Sequence, residues 1–545
     1  MALISGNLEG LKVGQKRELE RLGRRRIRAG AVIQPVLAAE LVSVSRDLSR
    51  QVGIIADRLG AIEEVIVGNE VTLVLPEASR RRPPRMRLSG LRFIHVHLRG
   101  ELIDIEDILI LTRLRFDFIC ALMPDHSGKN PMIQIAYPRC SLRMQEPYEK
   151  IGPKPISTLS LKIDDLVDAI ESELKRTRER TIPRLEGGMQ RAILVHVSVP
   201  KDGMDASTCM EELEKLAVSC GVAVVDRVIQ ARRKIDAGTF MGKGKLIDII
   251  VRSMVSNADL IIVDHDLNPR QARNIADLTG LAVIDRTQLI LDIFAQRAHT
   301  NDGKIQVELA QLKYLMPRLA ERDDALSRLT GEIGARGPGE TKLEIGRRRV
   351  REKIARLTRQ IEGIARNRKV RRKRRERSGT ELVALVGYTN AGKSTILNVL
   401  AGSDVTASAT LFSTLDPRSR QLRLPSGRTV VLTDTVGLIR QLPPSLMAAF
   451  RPTFEELGGA RLILVILDAA DEQLPLHLRM IEKTMSDLKL DDISKLTILN
   501  KIDAASPDRI EYLINHVGGV PVSALRGTGM RTLVCEIDRL IGITV

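Results

Sequence analysis

The stretch Gly387, Tyr388, Thr389, Asn390, Ala391, Gly392, Lys393, Ser394 constrains this chain more than any other, because of what flanks it. The apolar run Leu382 to Val386 leads into it and Ile396-Leu397-Asn398-Val399-Leu400 leads out with helical character. A strand, a glycine-bearing turn and a helix in that order form a phosphate-binding loop. Gly387 and Gly392 let backbone N–H groups turn toward a phosphate chain, Lys393 reaches the outer phosphates, and the Ser394 hydroxyl can bind Mg²⁺. Such a loop requires a parallel α/β sheet around it.

The base that accompanies those phosphates is read from Asn500, Lys501, Ile502 and Asp503, which follow the apolar run Leu496 to Leu499. This resembles the guanine-specificity motif of GTPases. A carboxylate at Asp503 can accept from both the ring N–H and the exocyclic amine of guanine, a pair that adenine lacks. Asn500 would tie this loop to the phosphate loop, and Ser523, Ala524 and Leu525, after Val520-Pro521-Val522, would back the base. Asp434, Thr435, Val436 and Gly437 follow the strand-like Thr429 to Leu432; Asp434 can hold Mg²⁺ through water and the Gly437 N–H can sense a γ-phosphate. Between these motifs, Phe412, Ser413, Thr414, Leu415 and Asp416 stand where a first switch belongs, with Thr414 20 residues beyond Ser394. Thr414 is the choice for the second Mg²⁺ hydroxyl, with Thr410 and Thr406 as alternatives. Lys393, Thr414 and Gly437 are the groups expected to act on the reacting phosphate. Leu438 occupies the position where GTPases that orient their own water place Gln, and it can neither donate nor accept a hydrogen bond. Slow intrinsic hydrolysis follows, unless Leu438 merely packs and a neighbouring side chain orders the water.

At 545 residues the chain exceeds one core. The expected division is an α+β extension over 1–190, a small α/β portion over 191–300, a basic helical hairpin over 301–378 and the nucleotide-binding portion over 379–545. No run of 18 or more apolar residues exists and the start lacks a signal-peptide core, so a cytoplasmic protein without a membrane span is expected; the oligomeric state is open, with a monomer as the default. Cys120, Cys140, Cys209, Cys220 and Cys535 have no paired spacing, against a zinc ribbon or a disulfide framework.

The net charge of +17 is concentrated: Arg347 to Arg377 holds 16 Arg or Lys against three Glu, a net of +13. Val350, Ile354, Leu357, Ile361 and Ile364 recur there at steps of four and three, and Ile305, Leu309, Leu312, Met316 and Leu319 show the same spacing. Two helices joined by the glycine-rich Thr330 to Gly339 make an antiparallel hairpin whose arms reach about 30 to 40 Å. The run Arg366 to Arg377 is dense enough to repel itself without phosphates nearby, which favours a nucleic-acid partner. Aromatic residues make up 2% of the chain, against stacking on single-stranded bases and in favour of structured RNA read by shape.

Upstream, Ala192 to Val199, Val222 to Ile229, Leu260 to Val263 and Ala282 to Ile284 are apolar runs separated by helix-like segments, a small parallel α/β arrangement. Gly238 to Lys245 opens one of its helices and offers an anion, or a second nucleotide, a helix N-terminus. The front segment reads as α+β that folds alone. Val52 to Asp57, Ile62 to Val67, Val71 to Leu75, Leu91 to Leu98 and Phe116 to Met123 are strand-like, and Asp104 to Leu111 is helical. The basic, proline-stiffened Arg80 to Arg85 either touches RNA or stays solvated.

Longer motifs resemble the HflX family of ribosome-associated GTPases: Gly242 to Leu246, Val283 to Arg297, Gln306 to Leu315, Arg336 to Thr341 and Asp434 to Arg440. The resemblance covers about residues 190 to 540. It implies GTP and GDP as ligands with Mg²⁺, and binding to the large ribosomal subunit with a hairpin tip over 330–341 near the peptidyl transferase centre. Splitting or rescue of stalled ribosomes, activated on the ribosome, is implied with it. Many members continue into another small domain, whereas this chain stops at Val545 and carries about 190 additional residues in front. In those residues Glu63 or Glu64, then His95-Val96-His97, then Asp107 resemble the residue order of JAMM metallopeptidases, which implies an alternative function as a metal-dependent hydrolase regulated by the G domain. Asp104 stands where that pattern has serine, and the interval from His97 is one residue short.

Overall fold

The computed structural model describes residues 2–75, 88–125, 130–139, 147–181, 189–200, 205–330, 338–377, 380–402, 419–435, 437, 440, 443–455 and 457–542. Two compact units make up the chain: residues 1–214 with 221–285, and residues 215–220 with 286–545.

In the first unit, a mixed sheet is built from β1 (Leu3–Gly6), β2 (Val52–Asp57), β3 (Ile62–Val67), β4 (Leu91–Val96), β5 (Phe118–Met123), β6 (Met132–Pro138) and β7 (Tyr148–Pro155), in the order β1-β3-β2-β4-β5-β6-β7. The β1–β3 and β4–β5 pairs are parallel and the others antiparallel. Both faces of the inner strands are covered, so β2, β4 and β5 read as nearly continuous apolar runs, unlike the edge strands β1 and β7. Ile94, Val96, Cys120 and Leu122 face the cluster formed with α1 (Val13–Gly23) and α2 (Pro35–Leu48). Phe93, Ile119 and Ala121, one residue out of step, face α3 (Ile105–Arg113). Helix α4 (Ile163–Thr181) follows β7. The expected strand over Val71 to Leu75 is absent. The Asn69 Oδ1 atom accepts from the Val71 and Thr72 N–H groups and from the Thr72 hydroxyl, which fixes a turn instead.

A second sheet of the same unit is wholly parallel, in the order β11-β10-β8-β9, from β8 (Arg191–Ser198), β9 (Ala223–Ala231), β10 (Leu260–Val263) and β11 (Ala282–Asp285). Its helices are α5 (Ala206–Ser219), whose last turn belongs to the second unit, α6 (Lys243–Ser256) and α7 (Pro269–Thr279). Ile108 and Leu111 of α3 and Leu246, Ile247 and Ile250 of α6 belong to one continuous buried cluster with residues of both sheets. The front segment, expected from its composition to fold alone, thus shares one face of its core with the parallel sheet.

The second unit begins with α8 (Arg286–Arg297) and continues into the hairpin of α9 (Asn301–Thr330) and α10 (Pro338–Arg377). Leu309, Leu357 and Ile361, flanked by Ile305, Leu312 and Ile354, form the expected seam, and Lys353 pairs with Glu308 across it. The arms are longer than the spacing suggested, 30 and 40 residues or about 45 and 60 Å, because α10 starts at Pro338, a residue suited to a first helical turn, and runs through the basic segment. The remaining sheet has the order β13-β14-β12-β15-β16-β17: β12 (Glu381–Gly387), β13 (Ser419–Arg423), β14 (Thr429–Asp434), β15 (Leu462–Asp468), β16 (Ser494–Asn500) and β17 (Val520–Pro521). Only the β13–β14 pair within it is antiparallel. Helices α11 (Lys393–Leu400), α12 (Pro444–Glu455), α13 (Leu474–Asp487), α14 (Pro507–His516) and α15 (Met530–Gly542) complete the unit. No described helix is long and apolar enough to cross a membrane.

Candidate functional site

The central strand β12 ends at Gly387 because nothing larger fits: a Cβ there would lie 2.4 Å from the Ile466 carbonyl oxygen on β15. The chain then turns through Asn390, with φ +63°, and Gly392, with φ +92°, before α11 begins at Lys393. At Gly392 a Cβ would meet the Asn500 Nδ2 atom at 2.2 Å, so glycine is demanded by both backbone conformation and space. The loop is held from the carboxyl end of β16, two strands away in the same sheet. Asn500, closing β16, donates from Nδ2 to the Ala391 carbonyl at 2.8 Å and accepts at Oδ1 from the Ala524 N–H at 3.1 Å. One buried side chain thus joins the phosphate loop both to the end of β16 and to the loop that carries Ala524.

Lys393 is buried and its ammonium donates to the Gly387 and Tyr388 carbonyls at 3.1 and 2.9 Å. Burial pushes its pKa down to about 8, against the upward pull of Asp434. Ser394 donates to Asp434 Oδ2 at 2.7 Å, bringing two oxygen donors together beside the loop. These are hard ligands of the kind Mg²⁺ takes, and the pair fits that ion. Thr435 donates to the Leu385 carbonyl at 2.6 Å, fastening the segment after β14 to β12. Gly437 follows so closely that a Cβ would stand 2.9 Å from Thr389 Cγ2 and 3.1 Å from Lys393 Nζ.

On the base side, Asp503 Oδ1 accepts from the Ser523 hydroxyl at 2.6 Å, which holds the carboxyl below its usual pKa range, and the Ile502 N–H donates to the Val522 carbonyl. Lys501, with φ +63°, donates to Asp468 Oδ2 at 2.7 Å. Ser523 and Ala524 are buried, while Leu525 is 82% exposed beside them. The structure therefore brings together Gly387 to Ser394, Asp434, Thr435, Gly437, Asn500 to Asp503 and Ser523 to Leu525 at the carboxyl ends of β12, β14 and β16 and just after β17. Phe412, Ser413, Thr414, Leu415, Asp416, Val436 and Leu438, with Thr406 and Thr410, lie outside the described residues.

One part of this site was not anticipated. Tyr388 stacks on His477 of α13, ring centroids 3.7 Å apart, and His477 Nδ1 pairs with Asp471 Oδ2 at 2.9 Å. The Tyr388 hydroxyl accepts the Arg440 N–H at 2.9 Å, so this ring fastens the stretch beyond Gly437 to the phosphate loop. The aromatic residue inside an otherwise small-residue loop was its only signal.

In the first unit, the glycine-rich turn before α6 is occupied by its own carboxylate: Asp236 Oδ1 accepts from the Gly238 and Thr239 N–H groups at 2.9 and 2.8 Å. Those two donors are already used. His95, His97 and Asp107 are buried together, with His95 Nε2 3.6 Å and His97 Nε2 3.7 Å from the two Asp107 oxygens. Glu64 accepts from the Ser5 hydroxyl on β1, and Asp104 caps α3 by accepting from the Glu106 and Asp107 N–H groups.

Three family models match the chain: GTP-binding GTPase N-terminal over residues 207–295, GTP-binding GTPase Middle Region over 297–375, and 50S ribosome-binding GTPase over 382–501. The GTPase HflX of Lacrimispora saccharolytica is 43% identical over 352 residues, 65% of this chain and 83% of that protein. The GTPase HflX of Escherichia coli strain K12 is 41% identical over 365 residues, 66% of this chain and 84% of that protein. Among solved structures, a GTP-binding protein from Sulfolobus solfataricus in complex with GDP is 22% identical, covering 65% of this chain and 99% of that one, with a TM-score of 0.36. With a phosphate loop and a guanine-type loop tied by Asn500, and relatives matched over most of their length, this chain belongs to the HflX family of GTPases.

Proposed function

We propose that this protein binds GTP at the site joined by Asn500, hydrolyses it to GDP and phosphate with Mg²⁺, and does so on the large ribosomal subunit to split or rescue stalled ribosomes. The observation that carries the nucleotide reading is the Asn500 bridge, which sets the phosphate loop and the Asp503 carboxylate in one frame. The Asp503 carboxylate accepts from the two guanine N–H groups. Lys393 leaves the Gly387 and Tyr388 carbonyls for the phosphates, where its positive charge opposes the charge that develops on the transferred group. Ser394 and Asp434, with Thr414, would hold Mg²⁺, which neutralises phosphate charge. The Gly437 N–H donates toward the γ-phosphate, and its nearness to Lys393 keeps that donor at the reacting end.

Leu438 offers no hydrogen bond to an attacking water, so hydrolysis is slow until a partner orders that water. The partner is the large subunit, supported by the description of the family that matches residues 382–501 and by the basic helix α10, whose charge suits rRNA phosphates. The hairpin tip over 330–341 is the part proposed to enter the subunit, and the protein acts in the cytoplasm. Steady-state GTP hydrolysis with and without purified large subunits, with ATP as control, tests this. Strong stimulation specific to GTP is expected; hydrolysis unchanged by the subunit would remove the ribosomal part and leave the GTPase.

A further inference from the structure

The front segment lies ahead of the family models, the first of which begins at residue 207, yet it holds a set of side chains whose chemistry is unfinished. Alternation along β4 sends His95 to the same face as Phe93, toward α3, and His97 continues that parity. The two imidazoles stack with centroids 4.6 Å apart and planes 13° from parallel, so their edges point the same way. Asp107, in the first turn of α3, faces both of them. His95, His97 and Asp107 are 2%, 7% and 8% exposed.

The ring nitrogens decide what this arrangement needs. His97 Nδ1 lies 2.8 Å from the Glu101 carbonyl oxygen, which can only accept, so Nδ1 donates there and Nε2 is the ring atom left to face Asp107. That nitrogen is 3.7 Å from a carboxylate oxygen, too far for a hydrogen bond. His95 Nε2 stands 3.6 Å from the other Asp107 oxygen, and neither of its ring nitrogens has a hydrogen-bond partner although both are buried. Two buried imidazoles that converge on one carboxylate without a hydrogen bond between them leave polar atoms unsatisfied, and a cation between them would supply the missing partner.

The spacing suits such a cation. One donor atom from each residue falls within 4.8 Å of the others. Tetrahedral zinc, with bonds of about 2.0 to 2.2 Å, sets its ligand atoms about 3.4 Å apart; His95 Nε2 is 3.6 Å from Asp107 Oδ1 and His97 Nε2 3.7 Å from Oδ2, so each imidazole is within a few tenths of an ångström of that separation from its own carboxylate oxygen. Outer partners are in place as well: the Glu101 carbonyl on His97 Nδ1 and the Asp104 N–H on Asp107 Oδ2, at 2.8 and 3.0 Å. We propose that His95, His97 and Asp107 bind one divalent transition-metal ion, zinc being the best match to two imidazoles and a carboxylate, with a non-protein ligand completing its shell. The ion ties β4 to α3, the helix whose apolar face lies in the same cluster as α6, so metal binding stabilises the junction between the front sheet and the parallel sheet. No hydrolytic step is assigned to it, because Glu64 is engaged with Ser5 and Asp104 is engaged as a helix cap.

The full-length protein, stripped with a chelator, is titrated with Co²⁺ and then Zn²⁺. Expected are about one equivalent bound, a visible absorption band of tetrahedral Co²⁺ that Zn²⁺ abolishes, and a higher Tm with metal. Asp107→Asn preserves shape and the acceptor for the Asp104 N–H; it and His97→Ala should each weaken Co²⁺ binding at least tenfold and lose the metal-dependent rise in Tm. Absence of a band in folded wild-type protein overturns the proposal. So does a band of undiminished intensity in both variants, which would place the metal elsewhere, for example at the second buried group of His196, Cys209 and Asp264.

Discussion

Replacing Asn500 by Ala tests the central claim about the site, because its cost can be worked out before it is measured. The side chain is 2% exposed and makes two hydrogen bonds, to the Ala391 carbonyl and from the Ala524 N–H, both on buried residues. Truncation leaves a buried acceptor and a buried donor unpaired, at about 1 to 1.5 kcal/mol each, so about 2 to 3 kcal/mol in all. Where this loss appears depends on whether the two loops relax. If they hold their places, the free protein loses the whole amount in stability and GDP binds as before. If they drift apart, the free protein recovers part of the loss and GDP must reassemble them. A thermodynamic cycle removes the ambiguity, since the stability loss of the GDP-bound form equals the sum of the two. Urea unfolding followed by far-UV circular dichroism, without GDP and with saturating GDP, identifies the relevant transition by its shift with nucleotide. A labelled GDP supplies the affinity. The sum should reach 2 to 3 kcal/mol, equivalent to about 30- to 150-fold if expressed wholly as affinity. Asn500→Asp, which retains an acceptor for Ala524 but turns a carboxylate oxygen on the Ala391 carbonyl, should cost at least as much. A sum below about 0.5 kcal/mol in the alanine variant would refute the bridge as the element joining the two loops.

Further outcomes follow from other parts of the structure. Burial lowers Lys393 to about 8, so above that pH the free protein holds a neutral amine while bound phosphates require the ammonium. GDP binding therefore takes up a proton, and affinity should fall by about fivefold between pH 8 and pH 9 while changing little from pH 7 to pH 7.5; a level profile to pH 9 would show that Lys393 does not titrate there. Asp503→Ala should weaken GTP at least a hundredfold, the loss of two charge-assisted hydrogen bonds, and leave weak ATP binding unaltered in a competition assay. Replacing Arg371, Arg372, Lys373, Arg374 and Arg375 by Gln should weaken binding to the large subunit and reduce the slope of log affinity against log salt by up to about 3.5; an unchanged slope would remove that run from the RNA contact. Leu357→Ala, at a position 3% exposed in the hairpin seam, should cost about 2 to 4 kcal/mol in urea unfolding, and a loss under 1 kcal/mol would mean that the seam does not carry the hairpin.

What was legible in the sequence was what local sterics demand. Gly387 and Gly392 could be read as loop glycines because a Cβ at either position collides with atoms already fixed, the Ile466 carbonyl and the Asn500 amide. The Leu309 and Leu357 seam was legible because a helix repeats its buried positions at steps of three and four. Tyr388 on His477 was not, since a contact across 89 positions leaves no periodic trace. The strand pattern of Val71 to Leu75 misled because apolar residues with β propensity say nothing of the Asn69 side chain, which captures their N–H groups for a turn. Helices α1 and α2 and strands β6 and β7 were missed as well. Strand β6 is buried on both faces and so lacks the alternation that marks an exposed side, while β7 is a polar edge strand with two prolines and α1 buries only Leu19 and Leu22, too few to show a helical period. The same covering gives His95 and His97 their meaning. Their spacing placed both on one strand face, and a strand face can be wet or dry. Wet, two imidazoles and a carboxylate would each be satisfied by water. Beneath α3, His97 is held by the Glu101 carbonyl and Asp107 by the Asp104 N–H, while His95, with Phe93 edge-on at 4.7 Å, has no hydrogen-bond partner on either ring nitrogen, and the cation proposed between the three is what would complete it.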